Sequence, residues 1–392
     1  MDALDIGILL AAVFAALGGY RLGLLARAAS WVGLAAGLVL AARLLPWVVK
    51  AVDQSDPATR LLLAAAVLMG GAFIGQGLGL LLGWRIHKFL PGGPLRQADR
   101  IGGAVLATFG VFVALWLLLP SMADVPGWPA QQARRSVIAR QIDTIAPRPP
   151  DTLQALRRLV GDSGFPKVFD KLAPAPVAGP PPGAVVLSAA VQQRVSASTV
   201  KVEGEACHRI QEGSGFAAAP DTIITNAHVV AGVTKNLHVL KPGLNRTLPA
   251  TVVLFDPDRD LAVLRVPNLG DQPLALANGK KGQDGAVFGH PGGVDELQIA
   301  PARVVENVSA RGRDLYDQHQ TLRDVFILAS DLHPGDSGGA LADANGNVIG
   351  VAFAIAPDRA GTAYALTSKE IRAVLALPRG GPVSTENCLS DG

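Results

Sequence analysis

The chain has 392 residues, of which 49% are hydrophobic and only 17% charged. That length admits two domains with connecting segments, and that balance is typical of chains carrying spanning helices. A net charge of +3 with no Lys/Arg block excludes a nucleic-acid surface, and the sequence calls for no metal or other cofactor.

Four apolar stretches come first, at about 4–20, 28–49, 61–84 and 101–119. Each approaches the roughly 20 residues needed to cross the hydrocarbon core. One such stretch would suffice for a signal peptide, so four in series predict a multi-pass membrane domain over 1–121. They are apolar nearly all round, which suits lipid rather than a soluble bundle. The first loop carries Arg21 and Arg27, and the third carries Arg85, Lys88, Arg96 and Arg100. The second has Arg43, Lys50 and Arg60 beside Asp53 and Asp56. Cationic loops stay cytoplasmic, so loops one and three are expected inside and both termini outside.

Gly71, Gly75, Gly79 and Gly83 recur every fourth residue, and Gly33 and Gly37 repeat the spacing once. This lays glycines along one helix face, where another helix can approach closely. The face serves either packing within the four-helix unit or contact with another copy or partner. Topology and glycine pattern together resemble the small membrane domain of the colicin V production (CvpA) family.

Residues 122–190 read as a linker. Helical spacing appears at 131–145 and 153–160, divided by Pro147, Pro149 and Pro150. The run at 173–184, APAPVAGPPPGA, predicts an extended, semi-rigid spacer that holds a domain away from the bilayer and is open to proteolytic release.

From 191 to 392, short β-branched runs alternate with Gly, Pro, Asn and Asp turns. Strands are predicted at about 198–203, 222–225, 237–240, 250–255, 262–266, 285–289, 298–304, 324–328 and 348–354. Their number and spacing indicate an all-β domain, sized for two six-stranded barrels.

Three motifs carry the chemistry, in the order Thr225-Asn226-Ala227-His228-Val229-Val230, Asp260-Leu261-Ala262-Val263-Leu264 and Gly335-Asp336-Ser337-Gly338-Gly339. A serine hydroxyl attacks only when an imidazole takes its proton, and the imidazole needs a carboxylate to fix its tautomer. The order His, Asp, Ser is that of the chymotrypsin class. His228, Asp260 and Ser337 are therefore the expected catalytic residues. Asp256 and Asp258 are rival carboxylates, but Asp260 enters the apolar strand directly. The glycines let the Gly335 and Ser337 amides converge on an oxyanion.

These motifs resemble those of trypsin-like serine proteases. The 32 residues from His228 to Asp260 and the 77 from Asp260 to Ser337 resemble the HtrA branch, as do Gly213-Ser214-Gly215-Phe216 and Gly289-His290-Pro291-Gly292. Only 55 residues follow Ser337, too few for the PDZ domain of that branch. Taken whole, the chain resembles the actinobacterial membrane-anchored periplasmic proteases of the mycobacterial MarP type. That resemblance implies a serine endopeptidase facing the periplasm, cleaving envelope proteins in acid or envelope-stress resistance and able to cut its own linker.

Asp331, six positions before Ser337, is a candidate base for the primary specificity pocket, and Val351, Ala352 and Phe353 are candidates for its wall, where substrate would pair as an added strand. Asp336 is expected to order the oxyanion loop through a buried pair, and His290 and His333 to be turn or loop residues. Cys207 and Cys388 are the only cysteines. They read as one disulfide in an oxidising compartment or as two unrelated thiols. A bridge would tie the tail to the first barrel. The competing function is a membrane scaffold or transporter-like protein with a regulatory, peptide-binding protease fold.

Overall fold

In the computed structural model, which describes residues 2–52, 57–89, 91–147, 168–169, 172–206, 209–241 and 246–389, two compact units are present. The first comprises residues 1–122 and 135–161 and the second 123–134 and 162–392.

Four long helices dominate the first unit: α1 (Ala3–Leu22), α2 (Leu24–Val52), α3 (Pro57–Lys88) and α4 (Pro94–Asp124). All four are long and apolar enough to cross a membrane, and Phe14 and Phe73 stand exposed among their outward side chains. A helix satisfies its own backbone hydrogen bonds, which is the condition for lying in lipid. The helices run past the apolar stretches seen in the sequence. Only Gly23, with φ +82°, separates α1 from α2, so Arg27 lies within a helix rather than in a loop.

Glycines set the α2–α3 contact. A Cβ added at Gly33, Gly37, Gly75 or Gly79 would overlap a backbone carbonyl of the facing helix, and one at Gly83 would come 2.6 Å from the Ala26 Cα. The two backbones therefore touch along Ala26, Ala29, Gly33, Gly37 and Ala41. Of the two uses open to the face of Gly71, Gly75, Gly79 and Gly83, the structure displays the first: it packs against α2 of the same chain.

Short α6 (Val137–Ile145) closes this unit, after α5 (Trp128–Arg135). The fully buried Asp5 carboxylate accepts from Ser136 Oγ at 2.6 Å and from the Ile138 amide at 3.1 Å. A carboxylate suits the unpaired amides and partial positive charge of a helix N-terminus, so α1 anchors the start of α6.

Among the described residues, the second unit holds thirteen strands. Sheet one has the order β5-β4-β1-β2-β3-β7-β6, from β1 (Thr199–Ala206), β2 (Arg209–Ala219), β3 (Thr222–Thr225), β4 (Val233–Lys241), β5 (Arg246–Pro249), β6 (Thr251–Asp256) and β7 (Leu261–Arg265). Its two edges, β5 and β6, are halves of one strand bent at Ala250, whose amide turns to the Leu237 carbonyl at 2.9 Å. The ring thus closes through the chain itself, which reconciles seven strands with a six-stranded barrel. The second sheet is a closed six-stranded barrel of β8 (Asp284–Gly289), β9 (Gln298–Arg313), β10 (Gln320–Ala329), β11 (Ala340–Asp343), β12 (Val348–Ile355) and β13 (Thr362–Thr367). One core joins the barrels, placing Phe216, Ile224 and Leu261 of the first against Phe288, Ile327 and Phe353 of the second. Such a seam holds loops of both barrels in fixed register, which a two-barrel active site requires. Flanking helices are α7 (Ala189–Ala197), α8 (Ala227–Val230) and α9 (Ser368–Leu375).

The linker departs from its expected role. Its Pro-rich run is held on the second unit at Ala175, which is buried and whose amide donates to Asp358 Oδ2 at 2.9 Å. Composition predicts extension, but the carboxylate that captures the run lies 183 residues away in sequence. The helical spacing at 153–160 falls outside the described residues.

Candidate active site

His228 lies in α8, a single turn that follows the buried end of β3. Asp260 ends the turn between β6 and β7 at φ +58°, a left-handed conformation that Asp tolerates better than most residues. Three bonds fix their pairing. Asp260 Oδ2 lies 2.7 Å from His228 Nδ1, its Oδ1 accepts the His228 amide at 2.8 Å, and its carbonyl accepts from Asn226 Nδ2 at 2.8 Å. With Nδ1–H donating to the carboxylate, Nε2 is left with the lone pair that can take a proton. Asp260 is fully buried, so its charge is held by these donors rather than by water.

The rival carboxylates are occupied elsewhere. Asp256 binds Arg259 through its amide and guanidinium, both at 2.9 Å, and Asp258 pairs with His319 at 2.8 Å. Arg323 was not foreseen from the sequence. Its guanidinium is almost wholly buried and donates to the Asp258 carbonyl at 2.7 Å and the Arg313 carbonyl at 2.6 Å, bracing the turn that presents Asp260. An arginine just before a predicted strand gives no sign of this, because the Asp258 carbonyl it reaches is distant in sequence.

Ser337 sits in the loop between β10 and β11. Its carbonyl accepts from the Ser214 amide at 2.7 Å. A Cβ at Gly213 would come 3.1 Å from that same carbonyl and 2.6 Å from a methyl of Val229, next to His228. Gly213 is therefore the narrow point at which the His-bearing turn and the Ser-bearing loop meet. Ser214 belongs to the Gly213–Phe216 motif. Its hydroxyl donates to the Gly335 carbonyl at 2.7 Å and accepts the His290 amide at 2.9 Å, tying the Gly335 loop to the end of β8.

Gly335 has φ +99°, and a side chain there would overlap the His290 carbonyl. The amides of Asp336, Gly338 and Gly339 donate to the carbonyls of His333, Ala352 and Asp336. Among the described residues, those of Gly335 and Ser337 donate to no protein group, which leaves two neighbouring donors for an oxyanion.

Asp336 is buried, and its partner is the main chain rather than a cation: Oδ2 accepts the His333 amide at 2.9 Å. Burial pushes its carboxyl up to about 6. A raised folded-state pKa means that charging Asp336 costs stability as pH rises from about 4 through about 6. Asp336→Asn, which keeps an acceptor for His333, is therefore expected to gain on wild type by roughly 2–3 kcal/mol between pH 4 and pH 7.5. Denaturant melts at the two values check this, and a pH-independent difference refutes it. His290 is fully buried, with Nδ1 3.2 Å from the Val294 carbonyl, and burial pulls its imidazole down to about 4. His333 is exposed.

The specificity candidates separate. Asp331 is exposed just beyond β10, while Val351, Ala352 and Phe353 are buried in β12. Gly350 and Val351 pair with β11, and Ala352 exchanges backbone bonds with Gly338 and Gly339. An added strand can therefore meet β12 on that side only beyond Ala352. Of the cysteines, Cys388 packs against Gly232, and Cys207 lies outside the described residues.

Residues 213–351 match the trypsin-like peptidase domain family, and residues 4–147 match the colicin V production protein family. The chain is 34% identical to the serine protease Rv3671c of Mycobacterium tuberculosis over 99% of its own length and 98% of that protein's. Serine protease PepD of the same organism is 31% identical over 60% of this chain and 54% of its own. The crystal structure of the Rv3671c protease in its active form matches with a TM-score of 0.52 at 39% identity, covering 55% of this chain and 97% of that one. Full-length likeness, both domain matches and a fold shared with a solved protease agree: the chain belongs to the family of membrane-spanning, trypsin-like serine endopeptidases to which Rv3671c belongs.

Proposed function

We propose that the chain cleaves proteins of the cell envelope outside the cytoplasmic membrane, with Ser337 as nucleophile, His228 as general base and Asp260 as the group that orients and stabilises the imidazole. The observation that carries the reading is the doubly bonded Asp260–His228 pair, at 2.7 and 2.8 Å, in a turn adjoining the Ser337 loop. His228 Nε2 takes the Ser337 hydroxyl proton as Oγ attacks the scissile carbonyl, and then gives it to the leaving amine. The Gly335 and Ser337 amides receive the negative charge on the tetrahedral oxygen, each worth about 3 kcal/mol in the transition state. Collapse gives an acyl-enzyme, which water hydrolyses by the same steps in reverse.

Asp331 is proposed as the acidic group of the specificity pocket, favouring Arg or Lys before the scissile bond, with the β12 edge beyond Ala352 pairing to substrate. A role in acid or envelope-stress resistance and cleavage of the chain's own linker are part of this reading, supported by likeness to the Rv3671c family. External placement is supported by the cations flanking the helices. A Cys207–Cys388 disulfide is proposed with it. Its support is the docking of the tail on the first barrel, where the Gly232 amide donates to the Thr385 carbonyl and the Val383 amide to the Val252 carbonyl, at 3.0 and 2.9 Å.

One experiment addresses both orientation and bridge. Intact cells producing the chain are treated with a membrane-impermeant maleimide, with and without prior reduction. Labelling only after reduction, and without permeabilisation, is expected. Labelling that requires permeabilisation overturns the orientation, and labelling without reduction overturns the bridge.

A further inference from the structure

The stretch of β12 that lies open beside Ser337 runs directly into the turn 356–361, which leads to β13. This turn is fastened from within by Ala356 N–H to the Thr362 carbonyl and by Ser330 N–H to the Gly361 carbonyl, at 2.9 and 3.0 Å. Ser330 precedes Asp331, so the turn and the Asp331 loop are neighbours. Both borders of the substrate-binding end of the second barrel meet here.

The same turn is also held from outside the β-domain. Gly127 N–H donates to the Pro357 carbonyl at 2.8 Å. Asp358, 6% exposed, accepts the Ala175 amide at 2.9 Å and faces Arg134 Nε at 3.6 Å. Arg134 donates onward to the carbonyls of Ala173 and Ala123, at 3.2 and 3.4 Å, lacing the two pre-domain segments together. Ala130 and Ala133 of α5 are fully buried, and Val168, Ala175 and Leu187 share a core with Phe353, Ala356 and Tyr364. The Phe169 ring stands edge-on to Tyr364, with centroids 5.6 Å apart. A free linker would leave these apolar side chains in water and Asp358 without its partners.

We propose that residues 123–134 together with the docked residues 168–169 and 172–187 form a strap that is a working part of the peptidase, and that Asp358 is the positioning residue through which the strap sets the 356–361 turn and hence substrate selection along β12. The inference rests on the serine-peptidase chemistry alone, not on membrane orientation or on cleavage of the linker. Asp358 touches no reacting atom. Releasing it leaves the Ser337 loop, held by Ser214 and Ala352, in place while the pocket border moves.

The test uses the full chain in detergent micelles. Arg134→Met and Asp358→Asn are compared with wild type in fluorophosphonate labelling rate and in kcat and KM on peptides that vary the residue before the scissile bond. Arg134 sits on a partly exposed helix face, so its variant guards against a folding failure in Asp358→Asn. Labelling within about twofold of wild type is expected, with peptide KM raised by about tenfold or more, a changed order of preferred residues, and partial return in Arg134→Lys. Unchanged KM and preference in folded variants overturn the proposal, as does equal loss of labelling and peptide turnover, which would make Asp358 a support of the nucleophile loop. Absence of labelling in wild type would instead remove the serine-peptidase chemistry, so the two failures are distinct.

Discussion

Replacing Ser337 by alanine is expected to abolish fluorophosphonate labelling and to lower kcat on peptides by about 10⁶, with substrate binding almost unchanged. The size follows from the chemistry: without the hydroxyl no acyl-enzyme forms, and the oxyanion donors and binding contacts sustain only residual hydrolysis by water. Folding should survive the change. The loop is anchored through the Ser337 carbonyl on Ser214 N–H and through Gly338 N–H on the Ala352 carbonyl, at 2.7 and 2.9 Å, and neither bond uses the side chain. The checks are labelling, single-turnover kinetics and a melting curve on the same preparation. Residual activity within tenfold of wild type in a folded Ser337→Ala protein would sink the assignment of the nucleophile.

Asp260→Asn is expected to reduce kcat by about 10⁴ while leaving KM nearly unchanged. Asparagine tolerates the left-handed backbone at φ +58°, so the turn should persist. The fault is one of hydrogen-bond inventory. Asp260 offers one oxygen to the His228 amide and the other to Nδ1, whereas asparagine has a single acceptor. If that acceptor stays with the amide, the NH₂ faces Nδ1, forces the proton onto Nε2 and removes the base. If the amide side chain turns over, the His228 N–H loses its partner and α8 loosens. Pre-steady-state kinetics with a good ester substrate measure the loss of acylation, and a melting curve separates the two cases, because only the first leaves the melting temperature intact. A loss of less than tenfold would show that Asp260 is not the orienting carboxylate.

The order His228, Asp260, Ser337 is legible in the sequence because each residue sits in a short motif whose glycines and apolar runs are local. So are the spanning helices, since lipid imposes continuous apolar length. Strands rich in alanine were not. β11 (Ala340–Asp343) has no β-branched residue and β13 (Thr362–Thr367) has them only at its two ends, and both form because neighbouring strands of the closed barrel supply their hydrogen bonds. The eleven residues of β2 carry no predicted strand, because at Gly213–Phe216 glycine suppresses propensity while letting Val229 and Ser337 approach. Ser214, Arg323 and Asp358 act through carbonyls, amides or charges far along the chain, and no local pattern announces such partners. For the same reason the docking of the Pro-rich run at Ala175 is not legible in its composition.

Asp336 and His290 stand back to back in their acid–base behaviour, and together they define an interval. A Cβ at Gly289, which precedes His290, would overlap Asp336 Oδ1, so Asp336 packs against the end of β8 from which His290 follows. Asp336 is uncharged below about 6, and His290 is uncharged above about 4. Exposed His333 faces the first, while Lys201 and Asp295 face the second. Above the interval the fold must carry a buried carboxylate. Below it, the stability that a neutral His290 supplies in full above about 6.5 has been lost. Mildly acidic solution is thus the one medium in which both of these buried side chains are electrically silent.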